Sequence, residues 1–524
     1  MLSTMFITTD MSIIFISFLL IDEYMLAVID FGSQYTHLIA RRIRQLNVYS
    51  EIFPFYQDIS DLNVEAVILS GGPSSVYREN APRNDGLLDW LSTENVPTLG
   101  ICYGLHLIAH HFGGKVVQGK EKEYGTAEAS VVDDPLFKGL GRVQKVWMSH
   151  GDRVEALPPG FSRIASTENS EYAAFRRNAM YAVQWHPEVH HTEHGMNMLS
   201  NFLDIAGAKR DWHLEDFTEQ TVKELREEIP GNAIIGLSGG VDSSVAAALV
   251  SKAIGTRLTA VFVDHGLLPA GEVDHVKTWF EGKVTLRIIY AKERFFSKLK
   301  GVLDPEEKRR VIGEEFIRIF EEEARKVKAT TLVQGTIYPD RIESGITQHA
   351  DVIKSHHNVG ALPEVMEFEQ VVEPLQDLYK DEVREVGKTL GLPDEILGKH
   401  PFPGPGLAVR VLGEVNDHSI TICRKACTIV EDELKAAGLY HKVWQGFAVL
   451  FEDKVVGVVG DERNLGHVMG IRIVQSLDAM TANFVKVDWD VLEKMSTRIT
   501  NEIPGVVSVA YFVSHKPPQT IEPL

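Results

Sequence analysis

Short apolar runs alternate with segments of helical period twice along this chain, and that alternation confines each stretch to helices layered on a largely parallel sheet. In the first stretch, Met25 to about Gly207, the runs Leu26–Asp30, Ala66–Leu69, Pro97–Ile101 and Tyr181–Trp185 read as buried strands. Tyr35–Leu46 and Leu105–Phe112 read as helices. A polar, acidic helical segment, Glu215–Glu228, follows and ends at Pro230 and Gly231. Ala233–Leu237 then opens a second α/β stretch, with further strands at Leu258–Val263, Val284–Tyr290 and Thr331–Gln334 and a charged, solvated helix over Pro305–Val327. At His400 the texture changes to PFPGPGLAV, too rich in proline and glycine for helix or central strand, which marks a boundary or a rigid interface loop. Beyond it a helix, Ser419–Ala437, and strands Val455–Gly460 and Val507–Val513 give an α+β pattern. The expected division is an extension over 1–24, an α/β domain over 25–207, a doubly wound parallel-sheet domain over 208–399 and a smaller α+β domain over 400–524.

A chain of 524 residues is too long for one core, and three domains suit its length. The net charge of −20 argues against a nucleic-acid-binding surface, while leaving room for a local basic pocket around a single nucleotide. Cys102, Cys423 and Cys427 are its only cysteines, which fits a reducing, cytoplasmic compartment without disulfides. Cys423 and Cys427 lie on one helical stretch with no second Cys/His pair nearby, so they read as half-buried thiols rather than zinc ligands. The apolar run Met11–Ile21 is too short to span a bilayer and lacks the flanks of a signal peptide. No membrane association is expected, with Met25 as the natural initiator; a membrane or export signal is the alternative.

LGICYGLHLIAHHFGG places Cys102 in G-x-C-x-G between a strand and a helix, the pattern of a nucleophile elbow. Such a turn exposes the sulfur, and the helix N-terminus favours its thiolate. The alternative is a buried structural cysteine. In YAVQWHPEV, strand geometry would project His186 and Glu188 to one side, as a base and the carboxylate that orients it. After the strand Ala66–Leu69, the glycines of SGGP (Ser70–Pro73) offer amides toward a developing oxyanion.

Together DFGSQYT, SGGP, GICYG, MSHGD and HPE, in this order, resemble the class I glutamine amidotransferases. The resemblance implies Cys102 as nucleophile, His186 as base and Glu188 as orienter, with the amides of Gly72 and Tyr103 as oxyanion hole. It also implies glutamine binding by Ser149, His150, Gly151 and Asp152. His106 departs from the glutamine that many relatives carry there, which puts one substrate contact in question.

IIGLSGGVDSSVAAALV is strand, Gly/Ser loop and helix, a nest of amides suited to phosphate. It is not the G-x-x-x-x-G-K-[ST] loop, and Asp242 and Ser243 also suit plain helix capping. S-G-G-x-D-S resembles the PP-loop of ATP pyrophosphatases. That implies ATP binding by Ser238, Gly239, Gly240, Val241, Asp242, Ser243 and Ser244, Mg2+ near Asp242, and adenine by the strand end at Val263. A chain that makes ammonia beside an ATP-activating site should be an amide or amine synthetase.

GLSGGVDSS, QGTIYPDRIES, IKSHHNVGALP, HPFPGPGLAVR and KPPQTIE resemble the GMP synthase family from Met25 onward. The family implies glutamine, ATP and xanthosine 5′-monophosphate (XMP) as substrates, and a homodimer formed through the C-terminal domain. Arg310, Lys354 and Lys516 are cations suited to the XMP phosphate, with Thr520 and Glu522 beside the last; each cation also suits a plain surface position. Lys354, His356 and His357 are candidates for a lid over ATP. Pro269, Ala361, Gln519 and Pro523 depart from the family pattern and bear on affinity, not reaction type. A related synthetase with an NAD-synthetase-like carboxylate acceptor is the rival enzyme. A nucleotide sensor would lack the catalytic residues, and Cys102, His186 and Glu188 are present.

Overall fold

The computed structural model describes residues 25–340, 368–459, 462–476 and 481–523. The lid candidates Lys354, His356 and His357, with Ala361 and the run Met11–Ile21, lie outside the described residues. Two compact units divide the chain between His213 and Leu214.

The first unit is built on nine strands: β1 (Met25–Asp30), β2 (Ser50–Pro54), β3 (Val64–Leu69), β4 (Thr98–Ile101), β5 (Lys115–Val131), β6 (Val143–Ala156), β7 (Ser162–Ser166), β8 (Ala174–Arg177) and β9 (Met180–Val183). They form one sheet in the order β2-β1-β3-β4-β9-β8-β7-β5-β6. From β2 to β9 every pairing is parallel; from β9 outward the pairings are antiparallel. The central strands are apolar on both faces because helices cover both, and Leu26–Ile29 and Ala66–Leu69 are completely buried. The antiparallel half escapes a reading based on apolar runs. β6 alternates buried and outward residues, but its inward set includes Gln144, His150 and Asp152. The C-terminal ends of β1, β3, β4 and β9 lie side by side, and the loops that leave them carry the first candidate site.

The second unit opens with β10 (Ala233–Leu237), β11 (Leu258–Asp264), β12 (Thr285–Tyr290), β13 (Thr331–Val333) and β14 (Gln370–Val372). All are parallel, in the doubly wound order β12-β11-β10-β13-β14. The strand order reverses at β10, so the loop after it opens into the crevice between β11 and β13. A further sheet is a long antiparallel hairpin of β15 (Gln445–Val459) and β16 (Glu462–Gln475), with β17 (Asn483–Phe484) antiparallel and β18 (Val506–Tyr511) parallel to β16.

One continuous core serves both sheets, running from Ile234, Val261 and Phe295 to Leu434, Ile471 and Met495. PFPGPGLAV threads that core: Leu407, Ala408 and Val409 are completely buried, and the Leu407 amide donates to Leu267 O at 2.8 Å. Gly406 has φ +67°, and a Cβ there would come within 2.5 Å of Leu267 O. Lys308, on the helix Pro305–Val327, is completely buried and donates to the carbonyls of Val411 and Gly413, both at 2.8 Å. Burial pushes its ammonium down to about 8. Cys423 is buried and Cys427 partly so, both free thiols.

His265, just past β11, accepts from the Leu267 amide through Nδ1 at 3.1 Å. Burial, and then the charge of Arg424, push its imidazole down to about 3, so it is neutral in the fold. Unfolding lets it titrate at its ordinary value near 6.5. Its contribution is therefore complete above pH 6.5 and declines as pH falls from 6.5 toward 3, by about 1.4 kcal/mol per pH unit. His265→Asn keeps an acceptor for Leu267 without titrating. Urea denaturation of that variant should show a smaller loss of stability between pH 6.5 and pH 4 than the unaltered chain.

Candidate active site

Strain and close packing build the first site. Cys102, between β4 and the helix Tyr103–His111, has φ +53° and ψ −99°, a conformation that costs a non-glycine residue on the order of 1–3 kcal/mol. The flanking glycines are needed for contact. A Cβ on Gly100 would lie 2.7 Å from the backbone of Gly104, and one on Gly104 would collide with the Leu69 carbonyl. The Cys102 amide is held by Val183 O at 2.8 Å, which ties the elbow to β9. Tyr103 opens the helix, where a backbone N–H has no intrahelical acceptor. The glycines after β3 run alongside. A Cβ on Gly71 would stand 3.2 Å from His186 Cε1 and 3.7 Å from Cys102 Cβ, and one on Gly72 3.3 Å from the Tyr103 ring.

His186 Nδ1 lies 2.7 Å from Glu188 Oε1, and both side chains are buried. They do not share a strand face, as the alternation in YAVQWHPEV suggested. β9 stops at Val183, and Pro187 sits in the turn that folds the carboxylate back onto the ring. The His186 amide donates to Trp147 O at 3.1 Å, its carbonyl accepts from Thr192 Oγ1 at 2.6 Å, and Tyr35 packs edge-on at 5.0 Å. Burial opposes the charge on His186, but the carboxylate of Glu188 and then Cys102 hold its imidazole well above the ordinary value.

On β6, Ser149 O lies 3.8 Å from Cys102 Sγ, His150 Nδ1 meets Asp152 O at 2.8 Å, and Asp152 Oδ1 accepts from Tyr77 OH at 2.9 Å. His106 is buried with Nε2 2.9 Å from Gln184 Oε1, and the Gln184 amide nitrogen lies 4.0 Å from Cys102 Sγ. Burial, and then the charge of His150, push His106 down to about 4. Tyr77 and Gln184 carry no motif of their own. Only their nearness to SGGP and HPE could have flagged them.

The second site is the loop after β10. Gly239 has φ +74°. Ser238 Oγ and Ser243 Oγ lie 3.0 Å apart, and Ser238 Oγ accepts from the Gly240 amide at 3.3 Å. Asp242 receives Lys380 Nζ on both carboxylate oxygens, at 2.6 and 2.5 Å. Lys399 Nζ donates to Gly239 O at 3.2 Å and pairs with Glu272. Val241, Ser244 and Val263 are buried, so Ser244 turns its side chain into the core rather than toward the loop. Lys380 and Lys399 lie far along the chain in ordinary-looking segments, and no local pattern announces them.

Arg310 stands exposed on its helix, paired with Glu307 at 2.6 Å and with Glu314. The backbone of Lys516 pairs with that of Ala482 at 2.7 and 3.1 Å. Around it the tail is pinned from below. Buried Arg472 donates to the carbonyls of Ser514 at 2.7 Å, Thr520 at 3.0 Å and Ile521 at 3.4 Å. The Glu522 carboxylate accepts from Arg410 at 2.8 and 3.1 Å and from Gln445 at 2.7 Å. Arg310 is thus on one element and Lys516, Thr520 and Glu522 are on another.

Fold and site define a class: a glutamine-dependent, ATP-using synthetase, with a class I amidotransferase unit and a PP-loop unit on one chain. Residues 27–206 match the family described as glutamine amidotransferase class-I, 212–282 NAD synthase, and 432–523 the GMP synthase C terminal domain. A glutamine-hydrolyzing GMP synthase from Symbiobacterium thermophilum is 51% identical over 95% of this chain and 98% of its own length. Another from Brachyspira hyodysenteriae is 49% identical over 94% and 98%, and one from Geobacillus kaustophilus 49% over 96% and 99%. The chain belongs to the glutamine-hydrolysing GMP synthase family.

Because Glu188 is the largest influence raising His186, Glu188→Gln should lower that histidine's pKa. The acid limb of the glutaminase pH–rate profile should then move to lower pH. Loss of the orienting carboxylate should also reduce kcat by about 10²-fold or more. Both are read from initial rates of glutamate release across pH.

Proposed function

We propose that this chain makes GMP in the cytoplasm, from XMP, ATP and glutamine, by two centres that work in sequence. The observation that carries the reading is the sulfur of Cys102 at a strained elbow against the His186–Glu188 pair. At the first centre Cys102 Sγ attacks the side-chain amide carbon of glutamine, held by Ser149–Asp152. His186 takes the thiol proton and returns it to the leaving nitrogen, while Glu188 stabilises the imidazolium. The amides of Gly72 and Tyr103 receive the oxyanion. Ammonia leaves, and water attacks the γ-glutamyl thioester to release glutamate and restore Cys102.

At the second centre the loop Ser238–Ser243 cradles the ATP phosphates, with Lys380 and Lys399 supplying positive charge, and Val263 lies at the adenine. XMP attacks the α-phosphate through its purine carbonyl oxygen and pyrophosphate leaves. Ammonia then adds to the activated carbon and AMP departs. Asp242, the one carboxylate of the loop, is the hard oxygen donor that would hold Mg2+ together with substrate phosphates, and Lys380 Nζ, which takes both of its oxygens at 2.6 and 2.5 Å, would have to give up at least one of them to the ion. When bound, Mg2+ spreads the charge of the departing pyrophosphate. Lys516 and Arg310 are assigned to the XMP phosphate, and Thr520 to the same ligand. Glu522 is assigned to anchoring the tail, since Arg410 and Gln445 occupy its carboxylate.

The domains proposed are 25–207, 208–399 and 400–524, the last forming a homodimer. Exposed Val456, Val458 and Leu465 on the β15–β16 hairpin support that assembly.

The test is amination of XMP with either nitrogen source. Cys102→Ala should lower glutamine-driven GMP formation by about 10³-fold or more, and ammonium-driven formation should persist at the unaltered rate. Lys380→Met should lower both together. Equal survival of both activities in Cys102→Ala would refute the two-centre reading.

A further inference from the structure

Glu123, outside both constellations, backs the strand assigned to glutamine. It is buried on β5, directly opposite His150 on β6. The pairing of these strands shifts register there: Gln118 pairs with Asp152, Glu123 with His150 and Tyr124 with Ser149. The break in register therefore falls at Gly151, two residues from Ser149, whose carbonyl oxygen lies 3.8 Å from Cys102 Sγ. Side chains bridge the break. Glu123 Oε2 lies 2.9 Å from His150 Nε2 and accepts from Ser170 Oγ at 3.2 Å, while Oε1 accepts from Thr167 Oγ1 at 3.4 Å. His150 turns its other nitrogen to Asp152 O at 2.8 Å.

We propose that Glu123 is a positioning residue for the glutaminase reaction: through His150 it fixes the backbone of Ser149–Asp152 at the distance from Cys102 that glutamine binding requires. It does not touch substrate. Burial opposes its charge, yet His150, Asn169 and Ser170 hold its carboxyl below the ordinary value, which matches a carboxylate fully used by its neighbours. A buried, hydrogen-bonded charge of this kind fixes its partners more tightly than a neutral side chain does.

The proposal rests on Ser149–Asp152 as the glutamine-holding strand. Its test compares glutamine with ammonium as nitrogen donor in the full chain, with XMP, ATP and Mg2+ saturating. Glu123→Ala should raise KM for glutamine by about 10-fold or more, with a smaller change in kcat and no change in the ammonium-driven rate. Glu123→Gln, which keeps an acceptor for Ser170 and Thr167, should recover most of that KM. An unchanged KM in Glu123→Ala, or equal losses with both nitrogen sources, overturns the proposal. If Glu123→Ala does not fold, the double variant Thr167→Val, Ser170→Ala is read instead. A raised glutamine KM in it supports the role and an unchanged one overturns it. The Cys102→Ala variant separates the two readings, because its retention of glutamine-driven synthesis would refute the function whatever Glu123 does.

Discussion

Close approach of backbone to backbone at the C-terminal edge of the first sheet governs how that unit works. Gly100 lies against the first turn of the helix after β4, and Gly104 lies against the end of β3, so neither position has room for a side chain. That packing presses the helix onto two adjacent strands, and Cys102 links them at φ +53°. Glycine would adopt it without strain, but glycine has no sulfur. The energy stored at this residue is offset by the surrounding core, where Leu69, Ile101, Leu105 and Ile108 are almost wholly buried. The neighbouring turn after β3 runs close beside both groups, where a Cβ on Gly71 would stand 3.2 Å from His186 Cε1 and 3.7 Å from Cys102 Cβ. Gly71 has no Cβ to occupy that space.

The second unit meets a different demand, which is to gather positive charge in a chain that is strongly acidic overall. It does so locally, with lysines supplied from distant segments. Lys380 and Lys399 converge on the loop after β10, each already paired with a carboxylate, Asp242 or Glu272. Paired in this way, the cations sit at low electrostatic cost before a nucleotide arrives. The same unit uses buried Lys308 and Gly406 to press the segment after His400 into the core shared by its two sheets.

Most of the parallel strands were legible because β1, β3, β4, β10 and β11 are nearly pure apolar runs, whereas the parallel strands β2 and β14 are too short or too mixed in polarity to stand out and were not read. The helix Pro305–Val327 was legible to the residue, with Asp304 as N-cap and Pro305 at its first position. β5 and β6 were not, because their inward faces carry the polar residues of the site. The geometry at His186 and Glu188 was misread for a related reason: spacing of two implies a shared face only while a strand continues, and Pro187 ends it. Glu123, Tyr77, Gln184, Lys380 and Lys399 act through contacts between distant segments, which no local pattern encodes. PFPGPGLAV announced an irregular loop but not that the loop would be wrapped in core.

The anchoring of the tail makes two buried arginines depend on the residues from 514 to 522. Ser514, Thr520, Ile521 and Glu522 are held by Arg472, Arg410 and Gln445, which are already in place on earlier elements. Without those residues Arg472 would lose three backbone acceptors and Arg410 its carboxylate partner, and both arginines are buried. A chain cut ahead of Ser514 would therefore bury two guanidinium charges stripped of these oxygen acceptors.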